Sequence, residues 1–224
     1  MLYRKLQHTG PILGSVLGAL ALTLLLDLQP ALAEQARADA SAEHDEHAVD
    51  HHEHHHHEVA PGYQRSLASY SVPAVTMVNQ DGQRVDLPEL LDADEPVMLN
   101  FIFTSCTAIC PAMSAIFARV QTELGSDRAR LRMVSISIDP EYDTPEVLKR
   151  YAEQFGAGPR WSLLTGDAAD VTAALQSFDA LVGSKMNHKP FTLFKFPDDA
   201  RWVRVDGLIG APTLAEEYLR LAGS

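Results

Sequence analysis

Two cysteines and one histidine are the residues of this chain best suited to chemistry. The chain has only two cysteines, Cys106 and Cys110, and they stand four residues apart in one short run. Beyond the N-terminal sixty residues, His188 is the only histidine. Two thiolates and one imidazole form a three-ligand set that suits a soft monovalent metal such as Cu(I). The same two thiols can instead cycle through a disulfide.

The cysteine run lies where a buried strand is predicted to meet a helix. Residues 96–103 form a nearly continuous apolar run, which is typical of a strand buried on both faces. After the cysteines, Pro111 suits the first turn of a helix, and apolar residues recur at helical spacing until Gly125. The dipole and free amides of a helix N-terminus favour a thiolate, so the sequence predicts a lowered thiol pKa here.

Strands and helices alternate along the rest of the globular part. In chain order, the patterns predict a β-hairpin over 75–87, a second buried strand over 131–138, a helix over 144–156, a short strand over 161–164, a helix over 171–181, a hairpin over 191–205 and a last helix over 213–221. This order predicts an α/β fold with a central sheet flanked by helices on both faces.

Two segments precede the globular part. A charged start, an apolar run over 12–26 and a small-x-small site at 31–33 are typical of a secretory signal peptide over residues 1–33. The alternative for the same run is an N-terminal membrane anchor, although 12–26 is short for a bilayer span. Either interpretation predicts export, to a bacterial periplasm where disulfides persist.

Residues 34–60 contain eight of the ten histidines, interleaved with Asp and Glu. Because this segment has no aromatic residue, it cannot bury enough surface to fold, and we predict a disordered tail followed by a domain over 61–224. The tail is either a solvated spacer or a weak metal-gathering segment, since imidazole binds Cu, Ni and Zn. The net charge of the chain is −12, which excludes nucleic-acid binding.

Other uses of the thiol pair fit the sequence less well. A structural disulfide closing so small a loop would contribute only about 2 kcal/mol. A structural zinc site needs four ligands and would require a carboxylate such as Asp139. Met113 and Met186 offer thioether sulfurs, but Met113 falls on an apolar helix stripe. His188 would ordinarily be a loop or core residue, yet it precedes a strand whose end can face the Cys106 loop.

Three ordered pieces of the chain resemble the Sco/SenC family of copper chaperones. They are residues 100–111 with a CxxxCP motif, residues 137–145 with an Asp-Pro and an Asp-Thr-Pro, and His188 ahead of an aromatic-rich strand. The resemblance extends over about residues 70–222. It implies a thioredoxin-like fold, copper bound by Cys106, Cys110 and His188, and a role in assembling the copper centre of cytochrome c oxidase or a related copper enzyme.

The sequence therefore predicts an exported copper metallochaperone. Its predicted partners are a client copper enzyme and a thioredoxin-like reductant. The main alternative is a thiol–disulfide oxidoreductase that uses Cys106 and Cys110 as redox thiols without obligatory metal, and it gives His188 no necessary role. A metal-buffering protein that acts through the histidine tail is a third hypothesis. A peroxiredoxin is disfavoured because the motif contains no arginine that could activate Cys106.

Overall fold

Eight strands form one mixed sheet in the computed structural model of the chain, which describes residues 62–92, 94–197 and 199–223. The strands are β1 (Gln64–Ala68), β2 (Thr76–Asn79), β3 (Arg84–Asp86), β4 (Val97–Ile102), β5 (Arg132–Ser137), β6 (Trp161–Thr165), β7 (Phe191–Lys195) and β8 (Trp202–Asp206). The helices are α1 (Leu87–Leu91), α2 (Ile109–Glu123), α3 (Pro145–Gln154), α4 (Ala168–Ser177) and α5 (Ala211–Ala222). Short 3-10 helices cover Asp127–Arg130 and Lys185–Asn187.

The strand order across the sheet is β1-β8-β7-β4-β5-β6-β2-β3. The central strands β4, β5 and β6 run parallel, whereas β7 is antiparallel to β4 and the outer strands pair antiparallel with their neighbours. The hairpin of β2 and β3 and the hairpin of β7 and β8 confirm the two hairpins predicted from the sequence.

Strand β4 is buried on both faces, as its apolar run predicts. Successive side chains point to opposite faces of a strand. Met98 and Ile102 accordingly pack in one core cluster, while Leu99 and Phe101 pack in the other. Helices α2, α3 and α5 contribute to the first cluster, and α1 and α4 contribute to the second. The predicted α/β class, with helices on both faces of a central sheet, is confirmed.

Four details of the fold differ from the sequence prediction. The polar strand β1 and the five-residue α1 were not predicted, since neither carries an apolar periodicity. Helix α2 begins at Ile109 rather than near Pro111, which places Cys110 inside its first turn. Helix α4 ends at Ser177, so Leu181 does not lie on its apolar face and is 47% exposed. The helix cannot continue because Asp179 has a φ of 52°, a left-handed conformation that Asp tolerates.

The predicted signal segment 1–33 and histidine tail 34–60 lie outside the described residues, as does the predicted domain boundary at Pro61. All described residues belong to one compact unit. Among them, no helix combines the length and the apolar character needed to cross a bilayer.

Candidate thiol and metal site

Three loops that carry predicted site residues meet at one edge of the sheet. Strands β4 and β5 run parallel, and Ile102 pairs with Ser137 at their C-terminal ends. The cysteine loop follows β4 and the Asp139 loop follows β5, so both leave the sheet at this edge. Strand β7 is antiparallel to β4, and its N-terminal end, preceded by His188, therefore lies at the same edge. The topology brings the His188 segment to the side of the sheet that carries the thiols.

Cys106 lies in front of the N-terminus of α2, where the helix offers free backbone amides. The helix has no side-chain cap at Ala108, and the Cys110 N–H donates to Cys106 Sγ at 3.5 Å. Partial burial of the thiol opposes ionisation. Hydrogen bonds from the backbone of Cys110, Ala108 and Ile109 and from the Cys110 thiol outweigh it, and the pKa of Cys106 is lowered from its ordinary 9.0. This direction confirms the lowered thiol pKa predicted from the sequence.

Cys110 behaves in the opposite way. Its side chain is fully buried in the first turn of α2, within the core cluster on that face of the sheet. Burial raises the pKa of Cys110 to about 12, against a smaller lowering by the backbone of Phe103. Both cysteines are free thiols in this structure. The site therefore pairs an accessible thiol that ionises readily with a buried thiol that keeps its proton.

Alkylation by iodoacetamide near pH 7 should label Cys106 and leave Cys110 unmodified in the reduced, folded chain. The thiolate is the nucleophile, and a pKa raised from 9.0 to about 12 lowers the thiolate fraction of Cys110 by about a thousandfold. The rate at Cys106 should reach half its maximum below pH 9, because the pKa of Cys106 is lowered. Mass spectrometry of the labelled peptides measures both rates. A Cys106→Ser chain is the control, and rapid labelling of its Cys110 without denaturant would contradict the assignment.

A buried carboxylate, Asp143, fixes the start of the cysteine loop. Its two oxygens accept the Thr104 N–H at 3.3 and 3.1 Å, and Oδ1 also accepts the Thr104 hydroxyl. Ser137 Oγ, at the end of β5, donates to Asp143 Oδ2 at 2.6 Å. The Asp143 side chain is 0% exposed. Asp143 thus connects Thr104, two positions before Cys106, to the end of β5.

Asp143 was not predicted as a site residue, although it belongs to the Asp-Thr-Pro segment of residues 137–145. The sequence does contain a signal for a role of Asp143: an acid stands directly before Thr144 and Pro145, the N-cap and first residue of a helix. Thr144 does cap α3, accepting from the Val147 N–H at 3.4 Å. That local role leaves the neighbouring carboxylate free to turn inward, where it holds the cysteine loop.

His188 is buried and its ring is oriented by a backbone carbonyl. Nε2 lies 3.1 Å from the Phe101 carbonyl oxygen, in the strand that leads to the cysteines. The ring also packs against Phe191, with centroids 6.1 Å apart. Burial lowers the pKa of His188, the hydrogen bond to Phe101 opposes this, and the positive charge of Arg204 adds to the lowering. The imidazole is therefore held in its neutral form at neutral pH.

The Phe101 contact also fixes the tautomer of His188. A carbonyl oxygen only accepts, so Nε2 carries the proton and Nδ1 keeps a free lone pair. Histidines that bind metals commonly donate their second ring N–H to a carbonyl in this way. The lone pair on Nδ1 is the atom through which His188 can bind a metal without losing this contact.

A salt bridge joins the His188 segment to the loop after β5. Lys185 Nζ lies 2.5 Å from Asp139 Oδ2, and the same ammonium group lies 5.6 Å from the centroid of the Phe103 ring. Asp139 therefore already has a cationic partner. Within the described ranges, no group of three or more His, Cys, Asp or Glu side chains is close enough to hold a metal ion. Neither the four-ligand zinc site that would use Asp139 nor the predicted set of Cys106, Cys110 and His188 is assembled in this geometry.

A protein-family model and several curated relatives all indicate similarity to the same family. The protein-family model described as SCO1/SenC matches residues 65–194. The SCO1 protein homolog of Bacillus subtilis is 38% identical over 117 residues, covering 51% of this chain and 60% of that protein. An SCO2-like protein of Rickettsia prowazekii is 34% identical over 105 residues, covering 42% of this chain and 50% of that protein. The matches thus span about half of these curated relatives.

Solved structures show the same likeness. The copper-bound structure of Bradyrhizobium japonicum ScoI covers 68% of this chain and 99% of its own, with a TM-score of 0.57 and 25% identity. A structure of BsSco, described as a member of the Sco family of cytochrome c oxidase assembly proteins with a disulfide switch, covers 68% of this chain and 93% of its own. Its TM-score is 0.57 and its identity is 30%.

Proposed function

The chain belongs to the SCO1/SenC family, and from this membership and the chemistry of its two thiols we propose that it is a copper metallochaperone. The predicted Sco/SenC resemblance and thioredoxin-like fold are confirmed by the family and structure matches. Copper is the cargo in this proposal, since ScoI of Bradyrhizobium japonicum has a copper-bound structure and a similar protein of Stutzerimonas stutzeri is described as copper-binding.

The single observation that carries the proposal is the pairing of two free soft donors at the N-terminus of α2. Thiolates select Cu(I), and imidazole is also a good ligand for copper. We propose Cys106, Cys110 and His188 as the ligands, with His188 using Nδ1. Cys110 must lose its proton to bind, so copper uptake releases a proton and is favoured by rising pH.

Loading of this set requires a movement at the edge of the sheet, because among the described residues no three His, Cys, Asp or Glu side chains are close enough together to hold a metal ion. The cysteine loop is the element that we propose to move. Beyond Thr104, which Asp143 anchors, residues 105–109 contain no buried side chain, whereas His188 is buried and hydrogen-bonded to Phe101. A three-ligand site on an exposed loop suits transfer, since a ligand from the client can bind before one of the chain's own ligands leaves.

The client and the compartment belong to the same proposal. We propose export to the periplasm, supported by the signal-like segment at residues 1–33 and by the description of a similar Bacillus anthracis protein as a lipoprotein. We propose delivery to the copper centre of cytochrome c oxidase or a related copper enzyme, supported by the description of BsSco as a cytochrome c oxidase assembly protein. A thioredoxin-like reductant would keep the two cysteines reduced.

The test is Cu(I) binding by the reduced chain in competition with bicinchoninate, which leaves the weak imidazole sites of residues 34–60 empty. We expect one Cu(I) per chain, and we expect Cys106→Ser and Cys110→Ser to lose it. His188→Ala should weaken binding by more than the roughly 10- to 100-fold that loss of an outer-shell partner costs. Optical titration with the chelator measures each affinity.

Two control variants test whether the loss of Cu(I) binding is specific to the three proposed ligands. Thr107→Ala changes an exposed residue between the two cysteines, and His52→Ala removes a histidine of the tail. Both should bind Cu(I) as the unmodified chain does. Full Cu(I) affinity in His188→Ala would refute the three-ligand site, and full affinity in both cysteine variants would refute the metallochaperone itself.

A thiol–disulfide oxidoreductase is the second candidate, and one observation favours it. Cys106 is accessible with a lowered pKa, while Cys110 is buried with a raised pKa, which is the arrangement of an attacking and a resolving thiol. This function needs no contribution from His188. Turnover of a disulfide substrate by the metal-free chain, unaffected by His188→Ala, would support it.

A further inference from the structure

Met186 is exposed to solvent at the edge of the sheet that carries the thiols. Its side chain is 75% exposed, the largest value among the exposed large apolar residues of the described chain. The other described methionines are at most 4% exposed and belong to the core: Met77, Met98, Met113 and Met133. A single exposed apolar side chain is ordinary at a protein surface, so what distinguishes Met186 is that its sulfur is accessible to solvent close in sequence to His188.

The backbone at Met186 is fixed although its side chain is free. The residue is the centre of the 3-10 helix Lys185–Asn187, and the Ser184 hydroxyl accepts the Met186 N–H at 3.4 Å. The Asn187 N–H donates to the Ser184 carbonyl at 2.9 Å, and the His188 N–H donates to the Lys185 carbonyl at 3.2 Å. Because this turn is fixed and the unbranched side chain is exposed, the thioether sulfur of Met186 is accessible to solvent and is not packed in the core.

Contacts of the neighbouring residues place the Met186 segment beside the thiol site. Lys185 binds Asp139 and lies over the Phe103 ring. The Phe103 carbonyl accepts the Cys106 N–H at 3.2 Å, so Phe103 belongs to the turn that carries the accessible thiol. On its other side, Met186 precedes the buried His188 by two residues. Met186 therefore belongs to a segment that contacts the Asp139 loop and the Phe103 ring through Lys185 and leads directly into His188.

We propose that the Met186 thioether is an additional, transient Cu(I) ligand through which copper enters and leaves the site. This inference rests on the proposed metallochaperone function and adds to it a donor that acts during transfer. Thioether sulfur is a soft ligand that selects Cu(I). During exchange, a bond between copper and the Met186 sulfur forms as a bond to one of the three proposed ligands breaks. Copper stays Cu(I), and the neutral thioether neither gains nor loses a proton. A cysteine whose bond to copper breaks leaves as a thiolate and takes up a proton from solvent.

The thioether differs from the thiols in two useful ways. It has no proton to lose, so its binding does not depend on pH as that of Cys110 does. It also cannot be consumed by disulfide formation between Cys106 and Cys110. A neutral, weak and exposed donor lowers the barrier to exchange while it contributes little to the affinity of the loaded site.

The test compares Met186→Leu with the unmodified chain for the rate at which bathocuproine disulfonate removes Cu(I). Leucine keeps the size and apolar character of the side chain and removes only the sulfur. We expect the equilibrium Cu(I) affinity to change by less than about threefold while the transfer rate falls by about tenfold, the low end for an auxiliary metal partner. Stopped-flow absorbance of the copper–chelator complex measures the rate.

Two further variants separate sulfur chemistry from apolar contact. Met186→Gln should slow transfer as Met186→Leu does, and Leu181→Ala, which removes exposed apolar surface from the same segment, should not slow it. A wild-type rate in Met186→Leu would overturn the proposal, and so would a slow rate confined to Met186→Gln, since that pattern indicates apolar contact.

Methyl NMR distinguishes this proposal from the one on which it rests. In the chain labelled at methionine methyl carbons, the Met186 signal, identified by its loss in Met186→Leu, should shift or broaden while copper exchanges between the loaded chain and a limiting amount of bathocuproine disulfonate. If copper binds through the cysteines and this signal neither shifts nor broadens during exchange, the Met186 proposal is wrong and the metallochaperone stands. If no cysteine-dependent copper binds at all, the metallochaperone itself is wrong.

Discussion

Oxidation of Cys106 and Cys110 to a disulfide should abolish Cu(I) binding at the site. The two residues are neighbours, since the Cys110 N–H reaches Cys106 Sγ at 3.5 Å, and both are free thiols. Forming the bond removes two protons and two electrons and leaves no thiolate to bind the metal. His188 would remain as one imidazole, which cannot compete for Cu(I) against bicinchoninate. The loss should therefore be complete rather than partial.

The ionisation of the two thiols makes this oxidation controllable by pH. Cys106 has a lowered pKa and supplies the thiolate that attacks an oxidant such as oxidised glutathione, so the first step needs no strong base. Cys110 must then displace glutathione, and its pKa of about 12 makes this second step slower at neutral pH and faster as pH rises. A mixed disulfide on Cys106 should accumulate first near pH 7.

Copper affinity before and after treatment with oxidised glutathione measures the effect, and dithiothreitol should restore binding in full. Cys110→Ser is the control for the oxidation itself: mass spectrometry should show that it stops at the mixed disulfide on Cys106, because it cannot close the loop. Retention of Cu(I) affinity by a chain whose Cys106–Cys110 disulfide is verified by mass spectrometry would contradict the assignment of the thiols as ligands.

Much of this site was predictable because its chemistry lies in rare residues. The sequence predicted the candidate donor side chains, which are two cysteines in a short run and one remote histidine. The apolar strand before the cysteines predicted the edge of the sheet at which they lie. The lowered pKa of Cys106 followed from the helix N-terminus. The raised pKa of Cys110 did not, because it is caused by burial of the side chain in the core cluster packed under α2.

The features that the sequence did not predict depend on contacts between distant parts of the chain, which local sequence patterns do not encode. The partner of His188 is the carbonyl of Phe101, and any residue type would supply a carbonyl there. The exposure of Met186 depends on a 3-10 turn that its apolar side chain does not predict. The edge strand β1 was missed for a related reason, since its pairing with β8 stabilises a polar sequence without a buried face.

Replacing Asp143 by alanine should lower the free energy of unfolding by about 3–5 kcal/mol, as expected when a buried charged network loses its central acceptor. The change leaves the Thr104 N–H, the Thr104 hydroxyl and the Ser137 hydroxyl without the oxygens that they now bind in a buried position. Each unsatisfied donor costs about 1–3 kcal/mol before relaxation. Urea unfolding followed by circular dichroism should show a lower midpoint with an unchanged m-value.

The same change should also release the cysteine loop, because Thr104 stands two residues before Cys106 and loses its anchor on the neighbouring loop. We expect Cys110 to become reactive toward iodoacetamide in folded Asp143→Ala, whereas it stays protected in the unmodified chain. Asp143→Asn keeps one acceptor oxygen and should cost less, about 1–2 kcal/mol. Asp167→Ala is the matched control, since Asp167 is exposed and, as the N-cap residue of α4, makes no side-chain bond to an amide, so only its charge at the helix N-terminus is lost and the effect should stay within about 1 kcal/mol. Equal stability of Asp143→Ala and Asp167→Ala would show that the buried carboxylate does not hold the loop.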